Sequence, residues 1–187
     1  LFRSQYDTVT EVMWVTGAAL FIRLADYREV GGLDDHFFAH MEEIDLCWRL
    51  RSRGKKLVCI PQSVVYHVGG ATLKKENPRK TFLNFRNNLL MLYKNLPDKE
   101  LEHVLFIRGI LDRVAALVFY LKKDRANARA VMQARREFED IRYSFAASRI
   151  ENMMKSTDEI IPERTHFSIV MKYYLLGKKH FSQLKLF

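Results

Sequence analysis

The sequence predicts an α/β fold: a mixed α/β unit up to about residue 78, followed by a region that is entirely helical. In the first part, short β-prone runs stand on either side of a helix that stops at a glycine. In the second part, long segments with apolar residues at helical spacing follow one another, separated only by short breaks such as Pro97-Asp98. With 48% hydrophobic and 12% aromatic residues, the 187-residue chain can bury a core and is not globally disordered.

Glycine and proline residues set the boundaries of the elements in the first part. Two β-prone runs occupy residues 11–24, and the pair Gly31-Gly32 ends a short helix that begins at Asp26. The apolar spacing of EEIDLCWRLRSRG predicts a helix that starts near His40 and stops at Gly54. The segments KKLVCIP and SVVYHV then predict two strands, and GGATLKKENPRK predicts a loop.

After residue 78 the periodicity predicts long helices at residues 80–96, 99–123 and 125–155, before an aromatic and basic segment from Phe167 to Phe187. The second of these helices has a broad apolar face, but it contains too many charged residues to cross a membrane. We therefore divide the chain into residues 1–78 and 79–187.

The positive charge of the chain is concentrated toward its end. The formal net charge is +9, of which residues 120–187 contribute +6 and residues 1–119 contribute +3. A basic segment with aromatic residues suits an anionic partner, either nucleic acid or an anionic membrane surface. A solvated helical face is the structural alternative, and the composition leaves all three open.

Cys47 and Cys59 both lie in apolar runs, without the spacing of a zinc site or the density of a disulfide framework. We expect small buried thiols in a reducing compartment, so the expected location is the cytoplasm, with peripheral association at the cytoplasmic face of the membrane. The chain starts at Leu1 without a secretory signal pattern, in a segment that looks internal to something longer. We therefore expect a fragment or a processed product.

Four features of the first 70 residues suggest a site: WVTGA, GGLDDHFF, the acids of HMEEID, and a histidine before Gly69-Gly70. Taken alone, three acids at the start of a helix are explained by the helix dipole, and a single histidine at a strand end by a structural hydrogen bond. Crowded carboxylates, however, raise the pKa of one of them, which is what a general base near neutral pH needs. The order and spacing of the four features favour the functional interpretation.

Residues 12–72 resemble the acceptor-side half of family 2 glycosyltransferases. Members of that family commonly carry W-x-x-G-A, then G-G-F-D-E-x-F-F, then E-D-x-D-L-x-x-R, and then a histidine before a glycine-rich loop. The resemblance continues more loosely into FLNFRNN, where relatives often have an Arg-Asn pair on a helix. It implies the acceptor-side half of a GT-A fold, followed here by the helical region.

The resemblance assigns a role to each acid of HMEEID. Glu43 takes the position of the catalytic Asp of the family, with a side chain one methylene longer. Glu42 and Asp45 match flanking acids, which would bind acceptor hydroxyls or brace the loop. Arg49 matches the arginine of the motif, and we expect it to pair with one of these acids.

The remaining matched positions would bind the acceptor or a metal. Asp34 matches the acid of the glycine turn, which here has a leucine in place of the usual phenylalanine. His67 matches the histidine that completes the metal site in many relatives. The segment that lines the acceptor site is matched by Trp14, Gly17 and Ala18.

The reaction that the resemblance implies is inverting transfer of a sugar from a nucleotide-sugar donor to a saccharide or lipid-linked acceptor. Glu43 would be the general base, and a divalent metal, Mg²⁺ or Mn²⁺, would neutralise the departing diphosphate. The donor-binding half of the family would precede Leu1, so we expect the fragment alone to be inactive.

Three alternatives come from other classes of protein. A basic nucleic-acid-binding module would explain the charge, but no nucleic-acid-binding motif is present. A helical scaffold without catalysis would explain residues 80–187 only. A metal hydrolase would need His36 and His40 on the helix face of Glu43, and no HExxH motif supports it.

Overall fold

The structure is a computed structural model that describes residues 7–67, 77–157, 161–164, 169–174, 176–178, 180 and 183. Its elements in chain order are β1 (Thr10–Glu11), α1 (Leu24–Glu29), α2 (Glu42–Ser52), β2 (Val58–Cys59), α3 (Pro78–Asn95), α4 (Asp98–Leu121), α5 (Arg125–Ile141), α6 (Ala146–Lys155) and α7 (Ile169–Tyr174). Short 3-10 turns span Gly17–Ala19, Asp35–Phe37 and Arg142–Phe145. The described part of the chain is mainly helical with one small sheet.

The sheet is smaller than the sequence predicts. β1 and β2 pair antiparallel, with Thr10 opposite Cys59 and Glu11 opposite Val58. Residues 63–67, predicted as part of a further strand, have no regular structure and exposed side chains. A strand needs a neighbour for its backbone N–H and C=O groups, and the described residues provide none for this segment. Most of the predicted loop at residues 69–80 lies outside the described residues.

Both predicted glycine stops are confirmed. Gly31-Gly32 follows α1, where the N–H of Gly32 donates to the carbonyl of Tyr27 at 2.9 Å. Gly54 follows α2 and donates to the carbonyl of Arg51 at 3.1 Å. These bonds satisfy carbonyl groups that the end of a helix leaves without partners.

The predicted helix over residues 125–155 is broken in two. α5 ends at Ile141, the 3-10 turn Arg142–Phe145 follows with Phe145 buried, and α6 then packs against α3. A straight helix of that length would extend about 46 Å, far beyond the roughly 27 Å of α3. The turn lets both parts bury an apolar face on the same neighbour.

α2 lies between two apolar clusters. Its Trp48 belongs to the larger cluster, which is formed mainly by α3, α4 and α5 together with Phe37. Its Leu46 and Leu50 belong to a smaller cluster with residues next to β1 and β2. α2 therefore has helices on one side and the region of β1 and β2 on the other, rather than strands on both sides.

Both cysteines are free, as predicted. Cys47 is fully buried in the smaller cluster, and burial raises the pKa of its thiol. Cys59 on β2 is half-buried.

Among the described residues, no helix is long and apolar enough to span a membrane. In the basic segment at the end of the chain, Tyr173 and Tyr174 are exposed, and their rings meet edge to face. Four predicted membrane-contacting residues of this segment lie outside the described residues: Lys179, Phe181, Lys185 and Phe187.

Candidate active site

The first turn of α2 carries three carboxylates in different environments. Asp45 is completely buried and accepts several hydrogen bonds, whereas Glu42 and Glu43 are half-buried. The Oε2 atom of each glutamate is buried and accepts no hydrogen bond from the described residues. The amino end of a helix favours negative charge, so the turn can hold ionised carboxylates. Each of the two glutamates therefore has a buried oxygen without a partner among the described residues, whereas both oxygens of Asp45 are bonded.

The pKa of Glu43 is raised above its usual value. Burial is the largest cause, and the negative charge of Glu42 adds to it. The backbone N–H groups of Glu43 and Gly17 and the nearby His40 act in the opposite direction without cancelling the effect. A carboxyl with a raised pKa is a stronger base than an exposed one, so Glu43 is suited to accept a proton.

The exposed turn at residues 16–19 lies directly beside Glu43. A Cβ atom built on Gly17 would stand 3.7 Å from the Cβ of Glu43 and 4.0 Å from its Cγ, with no polar atom among its nearest contacts. A large side chain at position 17 would therefore pack over the glutamate. Thr16 caps this turn, and Ala18 and Trp14 are exposed next to it.

The loop that leads into α2 has strained backbone. Phe38, His40 and Met41 all have positive φ angles, of 59°, 70° and 74°. Such angles are uncommon outside glycine and cost on the order of 1–3 kcal/mol each, so surrounding contacts must hold them. Because Met41 is the residue before α2, this loop sets the positions of Glu42 and Glu43 in the first turn of the helix.

The contacts that hold this loop come from α3. The side-chain nitrogen of the fully buried Asn87 lies 2.8 Å from the carbonyl oxygens of Phe37, Ala39 and His40. Arg86 donates to the carbonyl of His36 at 2.8 Å and to Glu137 at 2.7 Å. The Arg-Asn pair of FLNFRNN therefore fixes the loop in front of the candidate base.

Asp45 is the centre of a buried polar network. It accepts hydrogen bonds from Arg49 at 2.8 and 3.0 Å, from Lys94 at 2.9 Å and from Asn95 at 2.7 Å. The predicted pairing of Arg49 with one of the acids is thereby confirmed. A buried carboxylate with this many donors is fully compensated, so its role in the structure is to hold its partners.

Arg49 connects this network to the glycine turn. Its guanidinium donates to the carbonyl of Val30 and, at 2.8 Å, to the carbonyl of Gly32. Of the two roles that the sequence left open for Asp45, acceptor binding or bracing of the loop, its burial and contacts favour bracing.

Asp34 joins the same network from the other side. It accepts from Lys94 at 2.7 Å and from the ring and backbone of His36. Burial acts to raise the pKa of Asp34, but the bonds from Lys94 and His36 outweigh it and keep the pKa below its usual value. A cavity of about 450 Å³ opens next to Asp34, between the loop at residues 30–36 and α6.

The predicted metal ligand, His67, is exposed at the end of the described stretch 7–67. Within the part of the chain that the structure describes, no group of three or more His, Cys, Asp and Glu side chains could hold a metal ion. The residues described here therefore do not form a metal site by themselves.

The two histidines of the hydrolase alternative do not share a helix face. His36 lies in a 3-10 turn, bonds to Asp34 and packs against the ring of Phe145 at 5.1 Å. His40 lies in the strained loop before α2, close enough to Glu43 to affect its pKa.

Sequence reasoning missed the contribution of α3 to the site. Asn87 and Lys94 are buried at positions where an amphipathic helix places apolar residues, in line with Leu83 and Leu90. Polar residues on the apolar face of a helix indicate buried hydrogen bonds, and this signal was present in FLNFRNNLLMLYKN.

The chain is similar to three kinds of bacterial enzyme. It is 31% identical over 141 residues to the pre-mycofactocin glycosyltransferase of Mycobacterium tuberculosis, which covers 70% of this chain. An N-acetylglucosaminyl-diphospho-decaprenol L-rhamnosyltransferase of the same organism is 38% identical over 56 residues, 30% of this chain and 18% of the relative. The rhamnosyltransferase WbbL of Escherichia coli K12 is 36% identical over 61 residues, 33% of this chain and 22% of the relative.

The chain is related to bacterial glycosyltransferases. This confirms the resemblance found in the sequence. The match spans 29% of the length of the pre-mycofactocin glycosyltransferase. No family model matches the chain, and the search of solved structures found no significant match.

Proposed function

We propose that this glycosyltransferase relative is the acceptor-side part of an inverting family 2 enzyme of the GT-A fold, with Glu43 as its general base. The observation that supports it best is the environment of Glu43. Its carboxylate is half-buried with a raised pKa, lies beside the exposed turn at Gly17, and has one oxygen free of partners among the described residues.

In this proposal Glu43 removes the proton from an acceptor hydroxyl as its oxygen attacks the anomeric carbon of the donor. The new carbon–oxygen bond forms on the face opposite the bond to the diphosphate, which breaks, and the configuration inverts. The proton ends on Glu43, and the electron pair leaves with the diphosphate. A positioned base of suitable pKa contributes about 10²–10⁴ in rate.

The acceptor would be a saccharide or a lipid-linked saccharide. One relative is named for a diphospho-decaprenol acceptor, and two are named rhamnosyltransferases. Trp14, Gly17, Ala18 and Glu42 would contact the acceptor, because the turn at residues 16–19 and the first turn of α2 flank Glu43. The resemblance also assigns Asp34 to the acceptor, and Asp34 lines the cavity between the loop at residues 30–36 and α6.

The proposal also includes a nucleotide-sugar donor and a divalent metal. His67 would be one ligand of Mg²⁺ or Mn²⁺, and its partners would be residues outside those described. Donor binding would require the donor-side half of such an enzyme, and the match spans 29% of the length of the pre-mycofactocin glycosyltransferase.

The alternative of a basic nucleic-acid-binding or scaffold module is not favoured, because the relatives at 31–38% identity are glycosyltransferases. We expect the protein to act on the cytoplasmic side of a membrane, where a lipid-linked acceptor would be presented.

The test is Glu43→Gln in the full-length enzyme that this proposal implies, with nucleotide-activated rhamnose as the first donor offered. We expect transfer to fall at least 10²-fold with the Kd of the donor unchanged, because only the proton acceptor is removed. His67→Ala should lower both the rate and its dependence on added Mg²⁺ or Mn²⁺.

The matched control is Glu102→Gln, which makes the same change on the exposed surface of α4 and should leave transfer unchanged. Near-normal turnover of Glu43→Gln would overturn the assignment of the base.

A further inference from the structure

The outer side of α4 is an exposed apolar surface. One side of the helix is buried in the core through Leu101, Leu105, Gly109, Asp112 and Ala116. The opposite side presents six large apolar side chains, each between 43% and 70% exposed: Phe106, Ile110, Val114, Leu117, Val118 and Leu121. We call these six residues the α4 face.

The α4 face is continuous along the helix. Its residues recur at intervals of three and four, so they form one stripe on a helix of 3.6 residues per turn. From Phe106 to Leu121 the stripe is about 22 Å long at 1.5 Å per residue. Isolated exposed apolar residues are ordinary on a protein surface, but an apolar stripe of this length indicates a binding surface.

Arginines border one side of the α4 face. A groove of about 1260 Å³ runs between α4 and α5, and Leu117 and Tyr120 line it from α4. Five arginines line the same groove. Arg135 pairs with Asp112, and we call the other four the arginine rim: Arg113, Arg125, Arg129 and Arg136. Arg125 also lies over the ring of Tyr120 at 5.9 Å.

The positive charges of the arginine rim are available to an anionic partner. None of its four guanidinium groups forms an ion pair with a carboxylate of the described residues. Three acids line the groove at the far end of α5, namely Glu137, Glu139 and Asp140, and the first two are paired. Glu137 pairs with Arg86, and Glu139 pairs with Arg142.

We propose that the α4 face and the arginine rim together are a docking surface for an anionic lipid bilayer. An amphipathic helix at a membrane surface buries its apolar side among the acyl chains, while flanking cations contact the headgroups. Arginine and tyrosine suit this boundary because each has an apolar body and a polar end. The surface is distinct from the basic segment at the end of the chain.

The arginine rim argues against two other occupants. A second copy that packed its α4 face antiparallel on this one would bring the rims of both copies to the same side, and like charges in an interface are unfavourable. Nucleic acid would be attracted by the arginines, but the α4 face would then remain exposed to water, which its area makes unfavourable.

The experiment is co-sedimentation of the full 187-residue chain with vesicles of phosphatidylcholine alone or of phosphatidylcholine with phosphatidylglycerol. We expect binding to the anionic vesicles that weakens as salt is added. Arg129→Glu should reduce binding at least about fivefold. Leu117→Gln combined with Leu121→Gln should reduce it about tenfold or more.

Matched controls make the same chemical changes elsewhere. Arg28→Glu reverses an exposed charge in the last turn of α1, and Ile150→Gln with Met154→Gln removes two exposed apolar residues of α6. Both should stay within about twofold of the parent chain. Circular dichroism would verify that every variant retains the helix content of the parent.

Four results would overturn the proposal. The first two are equal binding to neutral and anionic vesicles, and equal losses in the control variants. The third is binding that the double variant Lys178→Glu with Tyr174→Ser abolishes while the α4 variants retain it. The fourth is tighter binding to an oligonucleotide than to vesicles. Self-association without lipid that Leu117→Gln and Leu121→Gln abolish would likewise assign the surface to a second copy.

Discussion

Lys94 on α3 and Asp45 on α2 form an ion pair of 2.9 Å in which neither side chain is more than 3% exposed. The pair joins the helix of the candidate base to the helical region. Lys94 also pairs with Asp34 at 2.7 Å, so one ammonium group fixes both the start of α2 and the glycine turn. The two predicted divisions of the chain, residues 1–78 and 79–187, are therefore linked by buried charge as well as by apolar contacts.

Asp45→Ala should lower the free energy of unfolding by about 3–5 kcal/mol, because it leaves Arg49 and Lys94 buried without their shared carboxylate. Urea denaturation followed by circular dichroism measures the change. Asp140→Ala removes an exposed carboxylate from α5 and should change the free energy by less than about 0.5 kcal/mol. A similar loss for both variants would mean that the network does not stabilise the fold.

Glu43→Gln should raise the Tm of the chain at pH 7. Burial raises the pKa of Glu43 in the folded protein above its usual value of 4.5, which applies to the unfolded chain. Below that usual value both states are protonated and the group has no effect on stability. As the pH rises toward the folded pKa, the unfolded chain releases its proton first, and stability is lost. At neutral pH the folded protein therefore holds an unfavourable buried charge, which glutamine removes.

The pH dependence separates this effect from a general gain in stability. The difference in Tm between Glu43→Gln and the parent chain should disappear at a pH below about 4, where Glu43 is protonated in both states. Glu102→Gln makes the same substitution on the exposed surface of α4 and is the control for the substitution itself. A Tm difference that is the same at both pH values would contradict the raised pKa.

The sequence was sufficient for elements that local chemistry determines. The glycine stops and the apolar spacing of α2 and α4 correspond to the structure within a few residues. The strands were overpredicted because strand formation depends on a partner, which no local pattern reveals. The break between α5 and α6 was missed because its cause is the length of α3, a tertiary property.

Only the local part of the candidate site was predicted from the sequence, because the contacts of the rest depend on tertiary packing. The acids of α2 and the Gly17 turn are close in the sequence pattern, and the structure brings Gly17 and Glu43 together. The supporting residues, Asn87 and Lys94, lie about 50 residues from their partners. Their polar side chains on the buried face of α3 indicated that partners exist, but which carbonyl or carboxylate they meet is set by packing.

Gly32→Ala should destabilise the chain more than Gly31→Ala. Both glycines have positive φ angles, which cost an alanine about 1–2 kcal/mol. A Cβ on Gly31 would meet nothing within 4 Å, but a Cβ on Gly32 would stand 2.9–3.0 Å from the ring of Tyr27. Overpacking adds about 1–3 kcal/mol at position 32 only. Equal losses in urea denaturation would show that the Tyr27 ring moves away freely.

Asn87→Ala should both destabilise the chain and impair the candidate site. Asn87 holds three backbone carbonyls of the loop in which His40 and Met41 have positive φ angles. Its removal leaves buried carbonyls without a donor, at a cost of about 1–3 kcal/mol, and frees the strained loop to relax.

The adjacent Asn88 supplies the matched control for this last prediction. Its amide approaches only the sulfur of Met41, at 4.0 Å, so Asn88→Ala removes the same group from the same helix with little lost bonding. Asn87→Ala should also reduce the effect of Glu43→Gln on Tm at pH 7, because a relaxed loop no longer holds Glu43 in its buried position. Additive effects of Asn87→Ala and Glu43→Gln on the unfolding free energy at pH 7 would show that the loop does not position the base. Coupling between them, absent with Asn88→Ala, would show that it does.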